Sequence, residues 1–244
     1  MREPLRFVSN VSLNILSDHH FIAAFSSCDR YLDLIGAIKP AVFKALTDDE
    51  RLALFLNAYN ALCVNTILRW MREHDGAPPR SINDISTWRK PVWKQRAGKV
   101  AGSHVTLDYI EHSVLRTEWA EPRVHACLVC ASLSCPNLRG EAYDARRLNA
   151  QMDDQTRDWL ANTTKGVLVT PSTTDDSKPQ ITLSRIFLWF RDDFIRGEST
   201  AEDSCGAATA EMSPELAFAR RYKPEVRDGA ITYFPYNWSL NIAS

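Results

Sequence analysis

Cys135 sits in a Ser132-Leu-Ser134-Cys135-Pro136 turn that follows an apolar run, and His125 lies ten residues before it. A cysteine becomes a useful nucleophile only as its thiolate, and an ordinary thiol near pKa ~8.5 needs an imidazole or a helix N-terminus to reach that state. His125 is the imidazole within the same segment; His104 and His112 are rivals, since folding decides which ring meets the sulfur. An imidazole that takes a proton must be held in one tautomer by an acceptor on its other nitrogen. Glu111 is the acidic candidate for that role, and Asn57 or Asn60 is the alternative. Ser132, Ser134, Tyr59 and the turn amides offer donors for a developing oxyanion or for substrate. These residue types point to a cysteine-dependent hydrolase or acyl transferase acting on an amide, ester or thioester of a small molecule or peptide.

Three other chemistries use the same residues. His125, Cys127, Cys130 and Cys135 are four soft metal ligands within eleven residues. Read as a strand, however, Val124–Ala131 points Cys127 and Cys130 to opposite faces, so no metal or cofactor is expected. Cys130 and Cys135 span a turn and are candidates for thiol redox chemistry, provided their Cα atoms lie within roughly 7 Å. Otherwise the cysteines are small hydrophobes in the core of a binding or scaffold module. Cys28 and Cys205, in polar sequence surroundings, are expected to be accessible without being activated.

The elements that must carry these groups are mostly helical. Thr47-Asp-Asp-Glu50 is a capping box, and the apolar spacing behind it predicts a helix to about His74. Asn57-Ala-Tyr-Asn60 falls inside that helix. Asparagine is unfavourable there by roughly 0.6 kcal/mol each, so the amides have a purpose, either clamping a neighbouring backbone or serving the site. Before it, residues 17–26 and 29–45 show helical spacing, with Pro40 starting or kinking the second piece. After it come a helical turn near Ile82–Ile85, a short hairpin around Gly98–Gly102, and a helix at 107–116. Val124–Ala131 alternates at period two and is apolar on both faces, the pattern of a buried strand. A helix at 144–162 follows, then a hairpin of 167–170 with 181–183, an aromatic helix at 184–194, and a small polar stretch at 197–213. A helix at 214–221 and a last strand at 230–236 close the chain. The expected fold is α+β, mostly helical, around a small central sheet that includes 124–131.

Composition excludes some functions. With 29 basic against 30 acidic residues the net charge is −1, which offers no general attraction to nucleic acid or anionic lipid. A local basic run from Arg80 to Lys99, beside Trp88 and Trp93, is either a solvated loop or an anion site. No apolar run approaches the ~18 residues that span a bilayer, and no signal peptide is legible, so a cytoplasmic location is expected. Nothing in the sequence speaks to oligomeric state.

Several segments together resemble the DUF547 family, a domain of unknown function. They are Asn57-Ala-Tyr-Asn60, Leu107-Asp-Tyr-Ile-Glu-His-x-x-Leu-Arg116, and His125-x-x-Leu-Val-Cys-x-Ser-x-Ser-Cys-Pro-x-Leu138. To these are added the aromatic segment 183–194 and a closing Tyr-x-Trp-x-Leu-Asn at 236–241. The resemblance covers about 45–241 and implies a domain over 47–244, with 1–46 a helical segment packed upon it. Leu54-Phe55 stands where the family often has Phe-Trp, Asn137 replaces a second proline, and Asn237 replaces an aspartate. By residue type alone the Cys-His-acid set is also similar to those of papain-like and transglutaminase-like enzymes, which implies a distantly related fold. Those enzymes place the nucleophile before the histidine; here the order is reversed.

Overall fold

In the computed structural model of the chain, residues 28–171, 178–202 and 212–241 are described. Helix α1 occupies 28–36, and α2 is Pro40–Lys44 with its proline in the first helical turn, where a missing N–H costs nothing. The third helix, α3, is Asp48–Glu73. It begins as the sequence predicts: Thr47 Oγ1 accepts from the Glu50 amide at 3.3 Å, and Glu50 Oε2 accepts from the Thr47 amide at 2.9 Å. Buried residues surround most of α3, including Leu56, Leu62 and Leu68 on different sides. It is a central pillar rather than a half-exposed amphipathic helix.

A 3₁₀ turn at Ile82–Ile85 leads to the hairpin β1 (Gly98–Val100) and β2 (Ser103–Val105). Helix α4 spans 107–118, and its centre, Tyr109–Leu115, is wound as a π-helix. Next come α5 (Val124–Cys127) and α6 (Leu148–Ala161). Strand β3 (Val167–Thr170) pairs antiparallel with β4 (Gln180–Leu183), as expected for a hairpin. Helices α7 (Arg185–Trp189), α8 (Arg191–Glu202) and α9 (Pro214–Tyr222) carry the chain to β5 (Ala230–Tyr233), which lies parallel to β4. The sheet order is therefore β3-β4-β5. This is an α+β fold, rich in helix, with two small sheets.

Two apolar cores flank α5. One gathers around α3, α4 and the β1–β2 hairpin; the other lies between the three-stranded sheet and α6–α9, with Trp159, Phe187, Phe194 and Phe218 at its centre. Val124 and Cys127 belong to the first core and Ala126 to the second. The expected strand at 124–131 is thus corrected. It is one helical turn followed by extended chain, and it is apolar all round because each side meets a different core.

The other departures are local. Leu34 and Val42, apolar residues within the helical spacing of 29–45, are 46% and 49% exposed, because α1 and α2 bury only part of their apolar surface. Residues 197–202, expected as loop, extend α8. The helix expected at 17–26 and the stretch 203–211 lie outside the described residues, as does Cys205.

Candidate functional site

Asn60 sets the path of the chain through the site. Its Nδ2 donates to the Cys127 carbonyl at 2.8 Å, and its Oδ1 accepts from the Val129 amide at 2.9 Å. Both groups would continue α5 if left free, so the asparagine stops the helix after one turn and forces Leu128 into extended backbone at ψ 133°. Asn57 grips a second loop in the same way, donating to Tyr143 O and accepting from Tyr143 N–H, both at 2.9 Å. The two amides are clamps on backbone, with their hydrogen-bonding capacity used in that role.

Beyond Leu128 the chain reverses. Ala131 adopts φ +59°, a left-handed conformation that costs a non-glycine residue of order 1 kcal/mol. The turn then closes through Cys135 N–H to Ser132 O at 3.0 Å. The C-terminal segment straps this turn down. Leu133 N–H donates to Ser239 O, Asn241 N–H to Ala131 O, and Asn237 N–H to Ser134 Oγ, each at 2.8 Å. The closing motif 236–241 therefore holds the cysteine turn in place, and Asn237 turns its side-chain oxygen to the Ser239 amide rather than to any cation.

Within the turn the cysteines have opposite characters. Cys135 is 3% exposed and its thiol faces the Leu128 carbonyl at 3.6 Å. Burial, reinforced by the neighbouring Cys130 sulfur, pushes the Cys135 thiol well above its ordinary pKa. Cys135, the nucleophile expected from the sequence, is thus a buried thiol favoured in its neutral form. Cys130 is half-buried, and its sulfur is ringed by donors. Tyr236 Oη lies at 3.1 Å and Ser132 Oγ at 3.2 Å, and the Ser132 hydroxyl donates its one proton to Tyr236 Oη at 2.9 Å. The Cys135 thiol is the largest influence, and with Ser132 and Tyr236 it outweighs burial to bring the Cys130 thiol down to about 7. Lys165, half-buried and donating to Asn137 Oδ1 at 2.7 Å, has its charge felt by both sulfurs. The remaining described cysteines are inert by comparison: burial lifts Cys28 and Cys127 to about 12 and holds the Cys63 thiol well above its ordinary value. Cys28, expected to be accessible, is 4% exposed and donates to Ala61 O.

His125 is committed elsewhere. Its Nε2 meets Asp193 Oδ2 at 2.8 Å, and its ring stacks on Phe190 with centroids 4.2 Å apart. Asp193, 5% exposed in the first turn of α8, also accepts from Arg116 Nε at 2.5 Å and Arg196 Nη2 at 2.5 Å. Burial would raise its carboxyl, but the bonds from His125 and Arg116 overcome that and hold it well below the usual carboxylate range. Arg116 Nη1 in turn donates to His112 Nδ1 at 2.6 Å. Among the described residues no hydrogen bond joins a histidine to either Cys130 or Cys135. Glu111, carried on the π-wound part of α4, accepts from Tyr59 Oη at 3.1 Å instead of orienting an imidazole. Asp193 and Tyr236 are the residues that sequence reasoning missed; both stand in segments recognised as motifs, but 68 and 106 positions from their partners.

Around Cys130 the surface is aromatic. The Tyr236 ring packs against Trp189 and Trp238, each at 4.6 Å, and these tryptophans remain 42% and 36% exposed. The basic run seen in the sequence is partly gathered elsewhere: Arg96 and Lys99, with Arg69, His104, Asp29 and Asp33, line a separate cavity of about 530 Å³. Among the described residues no group of three Cys, His, Asp or Glu side chains converges as a metal site, and no helix is long and apolar enough to cross a membrane.

The fold and site define a mostly helical α+β protein built around a strapped cysteine turn. Residues 43–160 match the family model described as "Protein of unknown function, DUF547", so over that stretch the chain resembles this family. The match takes in the α3 asparagines, α4 and the cysteine turn; the aromatic segment and the closing strap lie beyond it. No curated protein and no solved structure matches the chain. The likeness to papain-like and transglutaminase-like folds has no support.

Proposed function

We propose that this domain performs thiol-dependent acyl transfer or hydrolysis with Cys130 as nucleophile. The observation that carries the reading is the set of polar groups about the Cys130 sulfur, which favours thiolate near neutral pH although no histidine among the described residues is bonded to it. The thiolate attacks an acyl carbonyl, a thioester to Cys130 forms, and the leaving group departs with the electron pair. As charge moves from sulfur to the carbonyl oxygen, the Tyr236 hydroxyl is released to that oxygen. Water or a second nucleophile then takes the acyl group.

With no imidazole among the described residues hydrogen-bonded to the sulfur, an amine leaving group has no proton donor there. Thioesters and activated esters, whose leaving groups depart as anions, suit the site better than amides. Trp189 and Trp238 supply a flat apolar platform for the acyl portion. His125, Glu111 and Cys135 then act in support: Asp193 fixes the first, Tyr59 engages the second, and the third accepts from the Cys130 backbone N–H.

A panel of thioesters and nitrophenyl esters, read by intact mass, tests this. The expected result is an acyl adduct on Cys130 and loss of turnover to background in Cys130→Ala, with the melting temperature nearly unchanged. Absence of both adduct and turnover across the panel would favour a non-catalytic binding module, in which the cysteine turn serves only as a packed structural corner.

A further inference from the structure

The two cysteines of the turn form a contact that acyl transfer does not require. The Cys130 backbone N–H donates to Cys135 Sγ at 3.0 Å. A disulfide needs Cα atoms within roughly 7 Å, and the 3.0 Å contact between one cysteine's backbone nitrogen and the other's sulfur limits their Cα separation to about that distance. The turn is fixed on both sides: Asn60 holds Val129 in front of it, and the strap holds Ala131, Leu133 and Ser134 behind. Neither sulfur therefore has to search for the other. One residue is half-buried and the other buried, so an oxidant reaches Cys130 first and Cys135 waits beneath it.

We infer that Cys130 and Cys135 are a peroxide-sensitive pair, Cys130 the attacked thiol and Cys135 the resolving one, closing an intramolecular disulfide. The Cys130 thiolate attacks one oxygen of a hydroperoxide; the O–O bond breaks, a sulfenic acid forms, and the departing oxygen leaves as water or alcohol after taking a proton. The Cys135 sulfur then attacks the sulfenic sulfur. Its proton goes to the departing hydroxide, which leaves as water. One peroxide and two thiols give one disulfide and two oxygen-bearing products, so atoms and electrons balance. The ionisation preferences fit this division of labour, since the attacking thiol is the readily ionised one and the resolving thiol is protected from direct oxidation. The disulfide removes the nucleophile of the proposed acyl transfer and prevents its irreversible oxidation to sulfinic acid. A thiol reductant restores it.

The experiment treats the full chain with stoichiometric hydrogen peroxide and maps the product by tandem mass spectrometry. Tryptic cleavage at Arg123 and Arg139 yields one peptide containing Cys127, Cys130 and Cys135. The expected product has lost two hydrogens, carries a 130–135 bond, and reverts with dithiothreitol. In Cys135→Ser the same treatment should give a dimedone-reactive sulfenic acid on Cys130 and then sulfinic acid. Sulfinic acid on Cys130 of the unaltered chain with no disulfide, or a disulfide joining Cys127, would overturn the inference. Both readouts are masses, so the pair is testable even if every acyl donor fails.

Discussion

Asp193→Asn is expected to destabilise the protein by about 3–5 kcal/mol, the usual cost of removing one partner from a buried charge network. Its carboxylate is the common acceptor for His125, Arg116 and Arg196. An amide brings its own N–H groups against these donors and leaves the partly buried Arg116, only 23% exposed along its side chain, without a counter-charge. Because the carboxyl is held below its ordinary range in the folded state, it contributes stability above the unfolded value, ~3.9, and loses it as pH falls through the lower folded value. The gap between the parent and Asp193→Asn should therefore be widest near neutrality and shrink in acid. Urea denaturation as a function of pH measures it. A gap that stayed constant or widened in acid would show that the carboxylate charge is not what holds α4, α5 and α8 together.

Asn60→Ala is the second large effect. It orphans the Cys127 carbonyl and the Val129 amide, both buried, at about 1–3 kcal/mol for each unpaired group. Asn60→Asp keeps an acceptor for Val129 N–H but loses the donor to Cys127 O, and adds a charge with no cation bonded to it. It should be at least as damaging, despite its shape. Denaturation curves for the two variants separate a clamp from a merely well-packed side chain, for which Asp and Asn would behave alike. If Asn60→Ala costs less than about 1 kcal/mol, the loop finds its own partners and the clamp is not what ends α5.

How legible this was in the sequence depended on range. The capping box at Thr47 and Glu50 is local, so α3 could be placed to within a residue at its start. The β3–β4 hairpin is likewise set by neighbouring residues. The segment at 124–131 was not legible, because one helical turn is too short to show a 3.6-residue period. Contact with a different core on each side erased what pattern there was. Its end is dictated by Asn60, 67 and 69 positions away. The site suffered in the same way. A cysteine in a serine- and proline-rich turn looked accessible, but the bond from Cys135 N–H to Ser132 O and the left-handed Ala131 tuck that side chain inward and leave Cys130 outermost. The groups that lower the Cys130 thiol are Cys135, Ser132 and Tyr236, and only the strap at the chain's far end brings the tyrosine there. For the asparagines the sequence leaves two roles open, a backbone clamp or service in the site, because a buried helix-interior amide needs a partner in either case; the bonds made are to backbone.

Both the proposed acyl transfer and the disulfide require Cys130 to be the activated thiol of the turn. The direct measurement is the rate of iodoacetamide alkylation at each cysteine across pH 5 to 10, read residue by residue by mass spectrometry on the native chain. Cys130 should react with a midpoint near 7, while Cys135 stays unmodified until denaturant is added. A Cys130 midpoint at the ordinary thiol value of ~8.5 or above, or faster labelling of Cys135 than of Cys130 in the folded protein, would contradict it.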